Sequence, residues 1–193
     1  MSEFNSDMNW TAGLFQQNVW PRISELCGGG EMIAMEVNVD RLADSFDKYS
    51  GIDAWQVLPE MGMRGIGSRI QRVNDDVRPY DSFTVRARRF SGAKTEFAKR
   101  VQAIESNRGY LYPYLTVQAY VRERDNELLS AAVCRTEDLI RYINEGHSKE
   151  NETTNASFYT CFWRDMVTKG FKVKSYTNHE LQLNLYGKNY LTT

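Results

Sequence analysis

Apolar positions at Leu14, Phe15, Val19, Ile23 and Leu26 recur at helical spacing, behind Asn9 or Thr11, either of which can cap the segment. Pro21 has no backbone N–H, so the helix should kink or restart there. CGGGE, 27–31, breaks the pattern, and MIAMEV, 32–37, reads as a short strand or as the lead into a helix. Val39, Leu42, Phe46 and Tyr49 line one face of a helix over 39–51, which Gly51 ends. The period then shortens. Residues 52–58 and 63–73 read as two strands, joined through LPEMGM as a hairpin.

NDDVRPYD, 74–81, is a loop rich in turn residues. SFTVRAR, 82–88, alternates apolar and basic residues, which predicts a third strand with Arg86 and Arg88 on one face. SGAKTEFAKRVQAIES, 91–106, predicts a helix capped at Ser91 or Thr95. Its apolar face is Phe97, Val101 and Ile104, and Glu96 and Arg100 form an i,i+4 pair. LYPYLTVQAYVRE, 111–123, is a long strand. Leu115, Val117, Ala119 and Val121 point one way, and Tyr114, Thr116, Gln118 and Tyr120 the other. RDNE turns, and LLSAAV returns as an antiparallel partner. TEDLIRYINEG, 136–146, is a helix capped by Thr136 and ended by Gly146. HSKENETTNAS, 147–157, reads as a polar loop, SFYTCFW, 157–163, as a strand, and 170–176 and 180–187 as short strand-like elements. This order predicts an α/β domain, a three-layer mixed β-sheet flanked by helices. Residues 1–146 form the core, and 147–193 are a C-terminal extension packing on it.

Composition adds bounds. A chain of 193 residues that is 41% hydrophobic and 25% charged suits one domain with an ordinary core. Its longest apolar runs fall short of a membrane span, and MSEFNSDMNW has no secretory character. Cys27, Cys134 and Cys161 are odd in number and widely spaced, without a zinc or disulfide pattern, so a reducing cytoplasm is the expected location. Charge is unevenly spread. Residues 31–60 carry seven acids (Glu31, Glu36, Asp40, Asp44, Asp47, Asp53, Glu60) against Arg41 and Lys48, and residues 64–108 carry eleven Arg or Lys against five acids. An acidic cluster beside a basic block suits a protein that holds a cation and a polyanion together. The plainer reading is two ordinary solvated faces.

Phosphodiester cleavage needs carboxylates to hold Mg²⁺ and a cationic or amide group near the attacking water. Asp53 opens the first strand of the hairpin, Gln71 lies in the second, and Glu36 precedes both. SGIDAW, an Asp at the head of a strand after a helix, followed by GIGSRIQR, SFTVRAR, TEFAKR and LTVQAYV in that order, resembles the PD-(D/E)XK, or restriction-endonuclease-like, superfamily over roughly residues 10–145. The resemblance implies that fold and a Mg²⁺-dependent DNA endonuclease. Asp53 would bind the metal with Glu36 and Gln71, and Arg69 or Lys99 would orient water or stabilise charge. The second strand departs from the pattern, because GIGSRIQRV holds no acid and no lysine. Glu96 and Lys99 of the following helix are the substitutes. The departure favours a second expectation, an inactive nuclease-like domain that binds nucleic acid or a protein partner, as an inhibitor or assembly factor. By analogy, so small a nuclease belongs to a phage or mobile element. The partners expected are DNA and, in a homodimer, a second copy, without a membrane.

Arg86, Arg88 and Arg89, with Lys94 and Arg100, form a set that can grip phosphates. A charged sheet edge that discourages aggregation is the alternative. CGGGE and RGIGSR lack the lysine, spacing and following helix of phosphate or dinucleotide loops. His147 and His179 are far apart, and no Ser–His–Asp or Cys–His set can be built. The tyrosines of 110–120 and the Trp163 region could stack bases, or simply pack a sheet.

Overall fold

The computed structural model describes residues 10–34, 50–60, 62–74, 81–106 and 111–178. Residues 39–49 of the helix predicted over 39–51, the 180–187 element, His179 and Glu36 lie outside the described residues. The rest is mixed α/β with two sheets. The larger has strand order β1 (Glu31–Ala34), β2 (Ala54–Leu58), β3 (Gly62–Val73), β5 (Leu115–Arg122), β6 (Leu128–Arg135), β9 (Val173–Thr177). Neighbours run antiparallel except β3 and β5, which are parallel. A parallel pair needs a crossover. Here it carries β4 (Ser82–Arg89) and helix α2 (Glu96–Glu105). The smaller sheet is antiparallel, in the order β4, β8 (Ala156–Phe162), β7 (Lys149–Glu152). No described helix is long and apolar enough to cross a membrane.

Each face of the large sheet carries its own core. On one, Leu14, Phe15, Val19 and Ile23 cover Val117, Ala119, Val121, Leu128 and Val133. Phe15 and Val19 belong to a π-helical turn, π1 (Phe15–Val19), which Leu14 precedes, and Ile23 to the short α1 (Trp20–Ile23). Pro21 stands in the first turn of α1, and the expected irregularity takes the form of the wide turn before it, closed by Trp20 N–H donating to Phe15 O. On the other face Tyr120, Leu129 and Cys134 meet Phe83, Val85 and Cys161 of the small sheet. Leu139 and Tyr142 of α3 (Thr136–Asn144) and Trp163 and Met166 of α4 (Trp163–Thr168) complete that core. The alternation read in 115–121 therefore divides β5 between two cores.

Several expectations are corrected. Residues 149–152 form β7 rather than a loop. β8 pairs with β4 and β9 with β6, so the segment after residue 146 contributes strands to both sheets. SFTVRAR belongs to the small sheet, not to the one that holds the hairpin. Thr136 does not cap α3. Its hydroxyl turns inward to Thr116 Oγ1, 2.9 Å away, and Arg135 occupies the cap position. The inward face of α2 is not purely apolar, because its buried residue is Arg100. Thr95 does cap α2, accepting from Ala98 N–H at 3.3 Å.

The glycine-rich stretches serve packing. Gly28, Gly29 and Gly30 all have positive φ and turn the chain from α1 into β1. Buried Gln56 clasps this turn, donating to Cys27 O at 3.0 Å and to Gly29 O, while Arg64 donates to Gln56 Oε1 at 2.7 Å. In β3, a Cβ at Gly65 would come within 2.9 Å of Ile52, and one at Gly67 would overlap the Arg100 guanidinium.

Candidate polyanion-binding face

β4 lies against the face of β3 and β5 that carries Gln71, Gln118 and Tyr120. Tyr120 donates to Ser82 O at 2.8 Å, and Thr84 N–H to Gln118 Oε1 at 3.2 Å. Gln71 Oε1 accepts from Gln118 Nε2 at 2.9 Å and from Thr84 Oγ1 at 3.4 Å. The amide oxygen expected to face a metal is thus committed to a network between the sheets. Asp53 precedes β2 and is half-buried. Its N–H donates to Ile66 O at 2.9 Å, and its Oδ2 accepts from Ser68 N–H at 2.5 Å. Ser68 and Gln71 are three residues apart, about 10 Å of extended strand. The two side-chain oxygens accept from different partners, Asp53 from the Ser68 backbone and Gln71 from Gln118 and Thr84. Among the described residues no group of three or more His, Cys, Asp or Glu is gathered to hold a metal ion.

Arg100, 2% exposed, lies over Gly67. It pairs with Glu96 at 2.5 Å, the predicted i,i+4 contact, and donates to Thr116 Oγ1 at 3.3 Å. Its Nε has no partner among the described residues. Lys99, one residue earlier, is half-buried on α2. Lys94 is exposed and donates to Gln102 at 2.8 Å.

The remaining arginines are sorted by a β-bulge. β4 pairs Arg86 with Phe158, skips Ala87, and resumes with Arg88 opposite Ser157 and Arg89 opposite Ala156. An extra residue reverses the alternation. Arg88 therefore leaves the face of Arg86, which corrects the expectation that they share one, and Arg89 takes its place. Arg88 pairs with Glu150 at 3.0 Å. On the other face, Arg86 and Arg69 both stand over the Phe158 ring, 5.5 and 5.0 Å from its centroid. Sequence reasoning missed Phe158. Its strand meets β4 from more than sixty residues away, and no local pattern announces that pairing.

This convergence crowds like charges in a partly desolvated place. Burial above all, then the Arg89 and Arg69 charges, hold Arg86 below the ordinary arginine value, and Glu96 opposes them. Burial does the same to Arg69, with Glu96 opposing and Arg100 adding to the effect. The carboxylate that offsets these guanidiniums already pairs with Arg100. Arg86 and Arg89 open onto a cleft of about 440 Å³, whose lining includes Phe90, Thr153, Asn155 and Phe158. A second cleft, about 630 Å³, holds Asp81, His147, Lys149, Arg164 and Asp165, whose charges are of both signs. The first therefore has the stronger bias toward an anion. Tyr120 and Trp163 are buried and present no face to a base, while Tyr114 sits between Arg64 and Arg135. No protein-family model, curated protein or solved structure matches this chain.

Proposed function

We propose that the protein binds nucleic acid through the face formed by Arg69, Arg86 and Arg89, as a binding module of nuclease-like α/β architecture. The observation that carries this reading is the convergence of Arg69 and Arg86 on Phe158 beside Arg89, with Glu96 already engaged by Arg100. Partly desolvated guanidiniums that repel one another gain most from a ligand carrying several negative charges, and a phosphate backbone supplies them in a row. A salt titration of DNA binding tests the reading. The logarithm of affinity should fall linearly with that of salt, and Arg86→Gln with Arg69→Gln should reduce the slope by about one for each phosphate no longer neutralised. Binding that ignores salt, or is untouched by the pair of substitutions, sinks it.

A second reading, cleavage of DNA at Asp53, is favoured by one observation. The Asp53 carboxylate and the Glu96–Arg100 pair meet β3 at adjacent residues, Ser68 and Gly67. Incubating supercoiled plasmid with the protein and Mg²⁺, beside an Asp53→Ala control, tests it. Nicking that the substitution abolishes supports cleavage, and intact plasmid in both samples leaves binding alone.

A further inference from the structure

The cleft beside Arg86 has features that phosphate contacts alone do not require. Phe90 lies just past β4 and is 56% exposed, one of the most exposed large apolar side chains among the described residues. Its backbone is held by Phe90 N–H donating to Asn155 O at 3.2 Å, which ties it to the turn between β7 and β8. That turn is fixed in its own right, with Thr153 N–H and Oγ1 both donating to Ala156 O at 2.8 and 2.9 Å. An aromatic ring is thus presented on a braced backbone at the mouth of a cationic cleft. Beside it Asn155, which lines the same cleft, brings an amide able to donate and accept. The Phe158 ring is already covered by Arg69 and Arg86. The free stacking surface is Phe90.

An aromatic face, a polar amide and two guanidiniums around one concavity match the parts of a single nucleotide. The base takes the ring, its edge takes the amide, and the flanking phosphates take the arginines. A cleft of about 440 Å³ is of the size that holds a small-molecule ligand. Bases inside a duplex are paired and stacked and cannot reach such a concavity, whereas an unpaired strand offers them at the smallest unstacking cost. We propose that the cleft lodges one unpaired base against Phe90, so that single-stranded nucleic acid is the substrate class of this face. This inference rests on the reading that Arg69, Arg86 and Arg89 bind a phosphate backbone.

The test uses the full chain, a fluorescently labelled oligothymidylate and a blunt DNA duplex of equal phosphate number, at one salt concentration. Single-strand binding should be the tighter. Phe90→Ala removes the ring at an exposed position and leaves every charge in place. It should weaken single-strand binding by about tenfold, with duplex binding and the salt slope unchanged. Circular dichroism and the melting temperature of the variant confirm that its fold is kept. Equal or tighter duplex binding by the unsubstituted protein overturns the base-lodging proposal while leaving the phosphate reading standing. So does a Phe90→Ala variant that loses nothing, or that loses both ligands equally. Binding to neither probe at low salt overturns both.

Discussion

At the scale of residues, the candidate face depends on a glycine. Arg100 can lie flat on β3 only because position 67 has no side chain, and Glu96 is held in place by Arg100. Gly67→Ala should therefore push the guanidinium off its partners, Glu96 and Thr116. Overpacking of this kind costs about 1–3 kcal/mol. In a protein of this length that lowers the melting temperature by about 2–4 °C per kcal/mol. A thermal melt checks it, and a cycle with Arg100→Met should be strongly non-additive, since the second substitution shortens the group the methyl meets. The Glu96–Arg100 pair was legible in the sequence because i,i+4 spacing alone sets it. The reason for Gly67 was not, because the side chain that needs the room comes from a helix more than thirty residues away. Asp53 shows the same limit. Its place before a strand was readable, but its bond to Ser68 N–H depends on how the hairpin closes.

At the scale of elements, Thr95 fastens the start of α2 to β4. Thr95 Oγ1 accepts from Ala98 N–H and donates to the Ala87 carbonyl at 3.0 Å, inside a buried environment. Thr95→Ala removes a helix cap, worth about 1 kcal/mol, and leaves a buried carbonyl unpaired, which adds about 1–3 kcal/mol. The urea midpoint should fall accordingly, and the Ala98 amide should exchange with solvent faster than in the unsubstituted protein. Helices and strands with strong periodicity were legible as elements: β5, β6, α2 and α3 all appear where the pattern placed them. Their assignment to sheets was not. The same alternation in SFTVRAR fits a strand of either sheet, and only tertiary pairing with β8 decides between them. β7 escaped notice because its residues, Lys149–Glu152, are all exposed and carry no apolar alternation.

At the scale of the whole molecule, two expectations follow from how the cores are closed. β8 is the partner of β4 among the described residues, and β9 covers β6. A chain cut after residue 146 should lose the small sheet and expose β6. Far-UV circular dichroism and gel filtration of residues 1–146 should report an unfolded or aggregated product. The second expectation concerns alkaline pH. All three cysteines are free and buried. Burial raises Cys27 and Cys161 from 9.0 to about 12, and raises Cys134 as well. Below pH 9 both folded and unfolded chains keep their thiol protons, and stability does not depend on them. Between pH 9 and about 12 the unfolded chain releases protons that the folded one retains. Stability should then fall with rising pH, by about 1.4 kcal/mol per pH unit for each thiol. Urea titrations across that range check the slope, and a thiol reagent should find the cysteines only after unfolding.

The skipped residue in β4 makes this protein's chemistry a matter of phase. A relative that kept every residue of this strand but paired Ala87 with Ser157, without the skip, would bring Arg88 to the cleft face and turn Arg89 away, carrying the same net charge with a different surface. Counting basic residues would call the two proteins equivalent. Counting positions from the bulge would tell them apart.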